Sequence, residues 1–278
     1  MNVPDRKKII RILSLALYFL AAFAVFLVVQ FPYGRIKTRI ESEVRSRTPY
    51  ELHIARIAPR FLNRFVMEDM VVSDRTGTVL FEAPAVHTRV SLLPFLRGLL
   101  SVRLTGRVYG GELAVRSEQG SSRRLLAVDA DGLDIGSYRL LRDRGFKVSG
   151  RLGGSFEMIN DAGKGRLWLK GLASRELKVM GFPVPDLDFE QGWIEVEVKG
   201  DRLLLKRLEL DGRELKVRVT GDLVMRERGS LNLVVKLRPS ERLSREQAGL
   251  LSLLKNRDAE GFYQFSLAGT LAEPLPRF

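Results

Sequence analysis

From Ile194 to Leu237 the apolar residues of this chain keep falling on every second position. Ile194, Val196 and Val198 alternate with Glu195, Glu197 and Lys199; Leu215, Val217 and Val219 alternate with Lys216, Arg218 and Thr220; Leu231, Leu233, Val235 and Leu237 repeat the scheme. A period of two sends successive side chains to opposite faces of a strand, so these stretches predict antiparallel sheet with one dry and one wet face. Leu203–Leu210 is a denser apolar run between them. Upstream, Leu52–Ala58, Phe65–Ser73, Val79–Glu82 and Val86–Val90 are further strand material, and Asp74–Gly77 has the Asp and Gly chemistry of a hairpin turn. The apolar stretch Leu92–Gly98 (LLPFLRG) interrupts them, because proline and glycine so close together argue against a central strand.

A five-residue pattern, apolar–small–Gly–any–apolar, recurs at Leu104–Val108, Val148–Leu152, Val219–Leu223 and Leu267–Leu271. Its central glycines, Gly106, Gly150, Gly221 and Gly269, are too irregularly spaced for a strict solenoid. Glycine inside a strand marks a bulge or a bend, so the sheet is expected to curl at these four points. Two later stretches read as helix. Ser137–Arg144 is short; Ser244–Lys255 has capping-box spacing from Ser244 to Gln247 and an apolar stripe of Leu250, Leu251 and Leu254. The expected class is mainly β: a curved antiparallel sheet, either sandwich or open groove, with two short helices.

Ahead of this lies an uncharged apolar run, Ile12–Phe31. Its 20 residues would reach about 30 Å as a helix, the thickness of a bilayer's hydrocarbon core. A cleaved signal peptide is the other reading, since Arg6, Lys7, Lys8 and Arg11 form a basic start and Ala22–Ala24 offers small residues for cleavage. The run, however, stays apolar through Val25–Val29, past the point where a signal core stops. A single transmembrane helix is therefore expected, with Ile12, Leu13, Leu17, Leu20, Phe23, Phe26 and Val29 among its spanning residues. Basic residues flank both ends, Arg35, Lys37 and Arg39 on the far side. Orientation is decided instead by chain distribution: a short tail stays in the cytoplasm, and a long domain translocates largely regardless of charge. Ile36, Ile40 and Val44 then fall four apart, so a juxtamembrane helix is expected from Tyr33 to Arg47, kinked at Pro32 and ending before Pro49. The expected organisation is a tail and span over 1–33, a juxtamembrane helix over 34–49 and a β-rich domain over 50–278.

The formal charge is +13, which suits anionic headgroups or an acidic partner. Nucleic acid binding would need that charge gathered in a patch with aromatic platforms, whereas Arg and Lys here are scattered along strands. With no cysteine, disulfides and cysteine metal sites are excluded. Neither His53 nor His87 has a Gly-x-Ser-x-Gly elbow to serve. Asp129–Asp134 (DADGLD) has its glycine at the wrong place for a calcium loop and is read as a turn. Gly150–Gly154 lacks the Gly-Lys-Ser/Thr of a phosphate loop. No catalytic residue, cofactor site or metal site is expected, and the chain reads as a non-enzyme.

Val90–Gly98 (VSLLPFLRG) followed by Leu104–Leu113 (LTGRVYGGEL) resembles AsmA-like proteins, in which an anchor leads into strands, an apolar proline turn and a glycine-rich strand pair. Phe95 stands where that turn has leucine. Gly163–Leu169 (GKGRLWL), Phe182–Phe189 (FPVPDLDF), Ser230–Pro239 (SLNLVVKLRP) and Gly261–Pro274 (GFYQFSLAGTLAEP) are similar to the type II secretion system protein N (GspN) family. The resemblance implies a single-pass bacterial inner-membrane protein with its N-terminus cytoplasmic and a periplasmic β domain. Its implied role is a non-catalytic accessory or assembly part of type II secretion, whose partners are the inner membrane and other secretion subunits. AsmA-like relatives imply a rival role, lipid binding or transfer, with phospholipid as the partner. In that case Leu215, Val217, Val219, Leu231, Leu233 and Val235 would line an apolar groove; under a second sheet or the Ser244 helix the same residues would form a core.

Overall fold

The computed structural model describes residues 18, 33–61, 63–91, 94, 98–143, 145–176, 178–179, 182–183, 185–225, 229–252, 254, 257–270 and 274–277. Of the run Ile12–Phe31 only Tyr18 is among them, so the expected span, with Ile12, Leu13, Leu17, Leu20, Phe23, Phe26 and Val29, lies outside the described residues. Among the described residues no helix is long and apolar enough to cross a membrane.

Helix α1 (Tyr33–Arg47) leads into β1 (Tyr50–Phe61), β2 (Arg64–Asp74), β3 (Val79–Ser91), β4 (Leu100–Val108), β5 (Gly111–Gln119) and β6 (Arg124–Asp134). A 3-10 turn (Ile135–Ser137) and helix α2 (Arg139–Asp143) precede β7 (Lys147–Ile159) and β8 (Ala162–Arg175). The short pair β9 (Lys178–Val179) and β10 (Phe182–Pro183) stands apart, and β11 (Leu187–Lys199), β12 (Arg202–Gly212), β13 (Leu215–Val224) and β14 (Ser230–Pro239) resume the sheet. Helices α3 (Glu241–Glu246) and α4 (Ala248–Leu251) lie before β15 (Tyr263–Gly269) and β16 (Pro274–Arg277).

Apart from β9 and β10, the strands form one open 14-stranded sheet in which each strand pairs antiparallel with its predecessor in the chain. Directly opposed residues share a face. One row of register partners runs Leu104, Val115, Val128, Phe156, Gly165, Val196, Leu205, Gly221, Leu233 and Leu267, from β4 to β15. It continues through Thr88 and Phe65 to Pro59 on β1. Thr88 is the polar exception; it is buried, and its Oγ1 has no hydrogen-bond partner among the described residues. Rows one step along face the other way and include Glu157, Lys164 and Glu197 as successive partners.

A meander sorts its connections alternately to two rims. At the helical rim lie the turns after β2, β4, β6, β8, β12 and β14, and with them α2, α3 and α4. The bare rim carries the turns after β1, β3, β5, β7, β11, β13 and β15. Helix α1 runs antiparallel to β1, as successive contacts show. Arg45 lies 3.3 Å from Glu51, Ile54 N–H donates to Glu41 Oε1 (2.9 Å), and Lys37 Nζ donates to the Ala55 carbonyl (3.3 Å). The first turn of α1 is therefore directed toward the bare rim.

Register shifts interrupt the ladder between Ala130 and Leu133, Ser149 and Arg151, and Phe189 and Gln191, on strands close to one another in the sheet. Such bulges bend a strand and raise its twist. Gly150, at the second shift, takes φ +142, where a side chain is strained. Gly221 also borders a register shift, since its partner Leu205 on β12 is followed by an irregularity before Leu208, and a Cβ on it would meet the Asn232 carbonyl oxygen at 2.2 Å. Gly106 and Gly269 are paired in continuous register.

Two local expectations are corrected. The helix predicted at Ser244–Lys255 begins earlier, at Glu241, because Ser240 at the end of β14 is the cap: its Oγ accepts from Leu243 N–H (3.2 Å) and reaches Glu214 Oε2 (2.6 Å). Ser244 sits inside that helix, and Gln247 ends it. Asp129–Asp134 is the end of β6 and not a turn, with Asp134 capping the 3-10 segment through Gly136 N–H (3.0 Å).

The geometry of Gly221 gives a test. Gly221→Ala should lower stability by about 1–3 kcal/mol through φ alone, with the carbonyl overlap adding to it. Gly249→Ala, in α4 with nothing within 4 Å, should not. Urea unfolding followed by circular dichroism measures both.

Candidate functional site

The dry face of the sheet is covered in two places. On its β1 side, Ile54, Ile57, Met67, Ala83, Val86 and Val108 form a buried cluster against which Ile36 and Ile40 of α1 pack. On its far side, Leu243 of α3 closes over Leu187 and Phe189, with Leu172, Leu210, Leu215 and Val217 around them. The aromatic rings of Phe81, Tyr109 and Tyr138 stack edge to face, and Glu82 N–H donates to Tyr109 Oη (3.0 Å), so the segment after β6 is tied to β3. The cover from α3 and the aromatic cluster lies toward the helical rim, whereas α1 lies along β1 and reaches Ile57 and Met67 in the bare-rim halves of β1 and β2.

Over β4–β15, toward the bare rim, no helix packs on the dry face among the described residues, although Val198, Leu205 and Leu231 are buried there. Close contacts between strands run along ladder neighbours, and among the described residues the helices rest mainly on β1, β3, β7 and β14. Among the described residues no second sheet is packed on the face. Leu104, Val115, Val128, Phe156, Val196 and Leu233 are only half-buried.

The six groove candidates come together on this face. Leu215 pairs with Pro239, Val217 with Leu237, Val219 with Val235, Gly221 with Leu233 and Leu223 with Leu231. Leu215 and Val217 lie against the α3 cluster; Val219, Leu233 and Val235 continue beyond it, and Leu231 is buried near the bare rim. Sequence reasoning missed how far the face extends through β4–β8. Its signal was present as Leu126, Val128 and Ala130 on β6 and as Leu152, Phe156 and Met158 on β7, diluted by the glycines between them.

The wet face carries paired charge. Arg166 lies 3.6 Å from Glu195, Lys164 and Lys206 lie 3.8 and 3.5 Å from Glu197, and Arg218 bridges Glu209 (3.4 Å) and Glu260 (3.0 Å). Phe262, which sequence reasoning also missed, is wholly buried on this side between the guanidiniums of Arg218 (4.6 Å) and Arg238 (4.9 Å). Its loop is fixed by Asp258, whose Oδ1 accepts from the N–H groups of Phe262 (2.9 Å) and Glu260 (3.0 Å) and whose Oδ2 meets Lys236 (3.2 Å). A hollow of about 850 Å³ opens beside His87, Thr105, Arg107, Glu112, Asp129 and Asp131, where Ala85 and Ala114 leave room. Among the described residues no group of acidic or imidazole side chains is arranged to hold a metal ion.

Neither outer edge is a free template. Side chains of α1 occupy backbone groups of β1, and the four residues of β16 include Pro274 and Pro276, which have no N–H to donate.

Several carboxyls are held below their ordinary range. The Phe262 N–H does this for Asp258, the Thr76 hydroxyl for Asp74 in the β2–β3 hairpin, the Ser240 hydroxyl for Glu214, and the Arg56 guanidinium for Glu68. A group depressed in the folded state contributes stability above its ordinary value, 3.8 for Asp and 4.5 for Glu, and loses it as pH falls through the depressed value. The melting temperature should therefore hold steady from neutral pH to about 5 and fall below about 4. Phe262→Ala should cost about 3 kcal/mol in urea unfolding, because it empties a closed site.

No family model matches the chain, and neither a curated protein nor a solved structure matches it.

Proposed function

We propose that this chain is a non-catalytic, membrane-anchored protein of the bacterial envelope whose open dry face holds the acyl chains of a lipid. The observation that carries the reading is the continuous apolar row from β4 to β15, on which, among the described residues, helix cover is confined to the α3 cluster toward the helical rim. Ten strands about 4.8 Å apart, over roughly five residues of 3.3 Å each, give this stretch a footprint of about 700 Å², in which Leu205 and Leu231 are buried and Leu104, Val115, Val128, Phe156, Val196 and Leu233 are half-buried. Each methylene laid on such a face contributes about 0.8 kcal/mol, so an acyl chain is a sufficient ligand.

The run Ile12–Phe31 supplies the anchor in this reading, in the inner membrane with the sheet on the periplasmic side. The resemblance to secretion components supports a second role, in which the anchored sheet holds other secretion subunits. Strand addition would find both edges occupied or lacking donors, so a protein partner would use the wet face, where Arg166 and Arg218 are paired with Glu195 and Glu209.

A photocrosslinking residue separates the two. Benzophenone at position 128 or 196 of the full chain in cells should give a light-dependent phospholipid adduct, and at position 155, whose Ser155 is exposed on the wet face, none. Protein adducts at 155 with no lipid at 128 or 196 would replace the lipid reading by the assembly reading.

A further inference from the structure

The large apolar side chains that remain exposed are not spread evenly. Phe61 (64% exposed), Leu100 (42%), Ile159 (38%), Met225 (50%) and Leu275 (61%) all stand at strand ends or turns of the bare rim. At the helical rim the comparable residues are Tyr50 and Phe146, and Trp193 (49%) is exposed in mid-strand on the wet face. Nothing in a meander requires this distribution, since both rims are made of turns. The bare rim also carries excess positive charge: Arg60, Arg64, Arg123, Arg124, Lys199 and Arg202 are exposed there, against Asp161 and Asp201. Apolar tips among arginines match the layered chemistry of an anionic bilayer surface, where side chains enter the acyl boundary and guanidiniums meet phosphates.

The path of the chain points to the same rim. Because α1 runs antiparallel to β1, its first residue is directed toward the bare rim, and the apolar run ends at Phe31, two positions before it. We infer that the bare rim of the sheet rests on the anionic phospholipid surface of the membrane that holds the anchor, with the helical rim pointing away. This rests on the proposed anchor, and it gives the open face a consequence: the uncovered part of the dry face opens toward the bilayer, so a lipid would pass from membrane to sheet without crossing water.

The absence of native cysteine makes the test direct. Phe61→Cys, Met225→Cys and, as the far-rim comparison, Phe146→Cys alter exposed side chains, and each full-length variant is labelled with an environment-sensitive fluorophore and reconstituted in phosphatidylcholine–phosphatidylglycerol vesicles. Labels at 61 and 225 should shift to the blue and be quenched by lipids carrying a nitroxide near the headgroup, as expected for insertion to about 5–10 Å. The label at 146 should do neither. Quenching at 146 instead of 61 and 225, or at none of the three, in a chain that resists alkaline carbonate extraction would overturn this inference and leave the anchor standing. Release by carbonate would remove the anchor and the inference together.

Discussion

The backbone ladder is the interaction on which everything else in this protein depends. A sandwich can lose pairing in one strand and keep its core, because the opposite layer still buries the face. Here, among the described residues, no second sheet lies over the face, and each strand is held mainly by its ladder neighbours. Side-chain ion pairs on the wet face are solvent-exposed, so each adds little to stability. What they add is register: Arg166 meets Glu195, and Arg218 meets Glu209, only when β8, β11, β12 and β13 are aligned as they are. A slip of one residue would turn the entire dry row outward.

Connections differ between the rims. Among the described residues several bare-rim turns are short, such as Asn160 and Asp161 between β7 and β8. Longer connections fall after β6 and β14, at the other rim, and these supply α2, α3 and α4. Cover and helices therefore coincide because both need spare residues. The same meander leaves two outer edges, and both are blunted, by α1 on β1 and by prolines in β16, which removes a route to aggregation that a long flat sheet would otherwise offer.

The alternation from Ile194 to Leu237 made the antiparallel sheet legible, since only period-two burial requires it, and Asp74–Gly77 marked the β2–β3 hairpin correctly because Asp74 caps that turn through Thr76 and Thr78. Local chemistry misled where two residues could serve one role. Ser240 and Ser244 both suit a helix cap, and the choice fell to Ser240 because Glu214, far off in sequence, reaches its hydroxyl. The pattern glycines were visible, yet their task at Gly221, close approach to Asn232, depends on a neighbouring strand. Whether the dry face is covered was not legible at all. It depends on which connections are long enough to return over the sheet and on where those connections lie, and periodicity carries neither.

An uncovered dry face poses a solvent problem with two physical solutions, a second layer of protein or an apolar liquid. Among the described residues, helix cover on this face comes from α1 and α3. Position matters as well. The chain carries an uncharged run of bilayer length, and the first turn of α1, which follows that run in the sequence, is directed toward the bare rim. On the proposed reading these facts are one arrangement: the rim with helices holds the sheet in shape, and the rim without them is left to lipid. A sheet of this kind would be poorly matched to water on that side and well matched to the edge of a membrane, so its location is a condition of its stability as well as of its function.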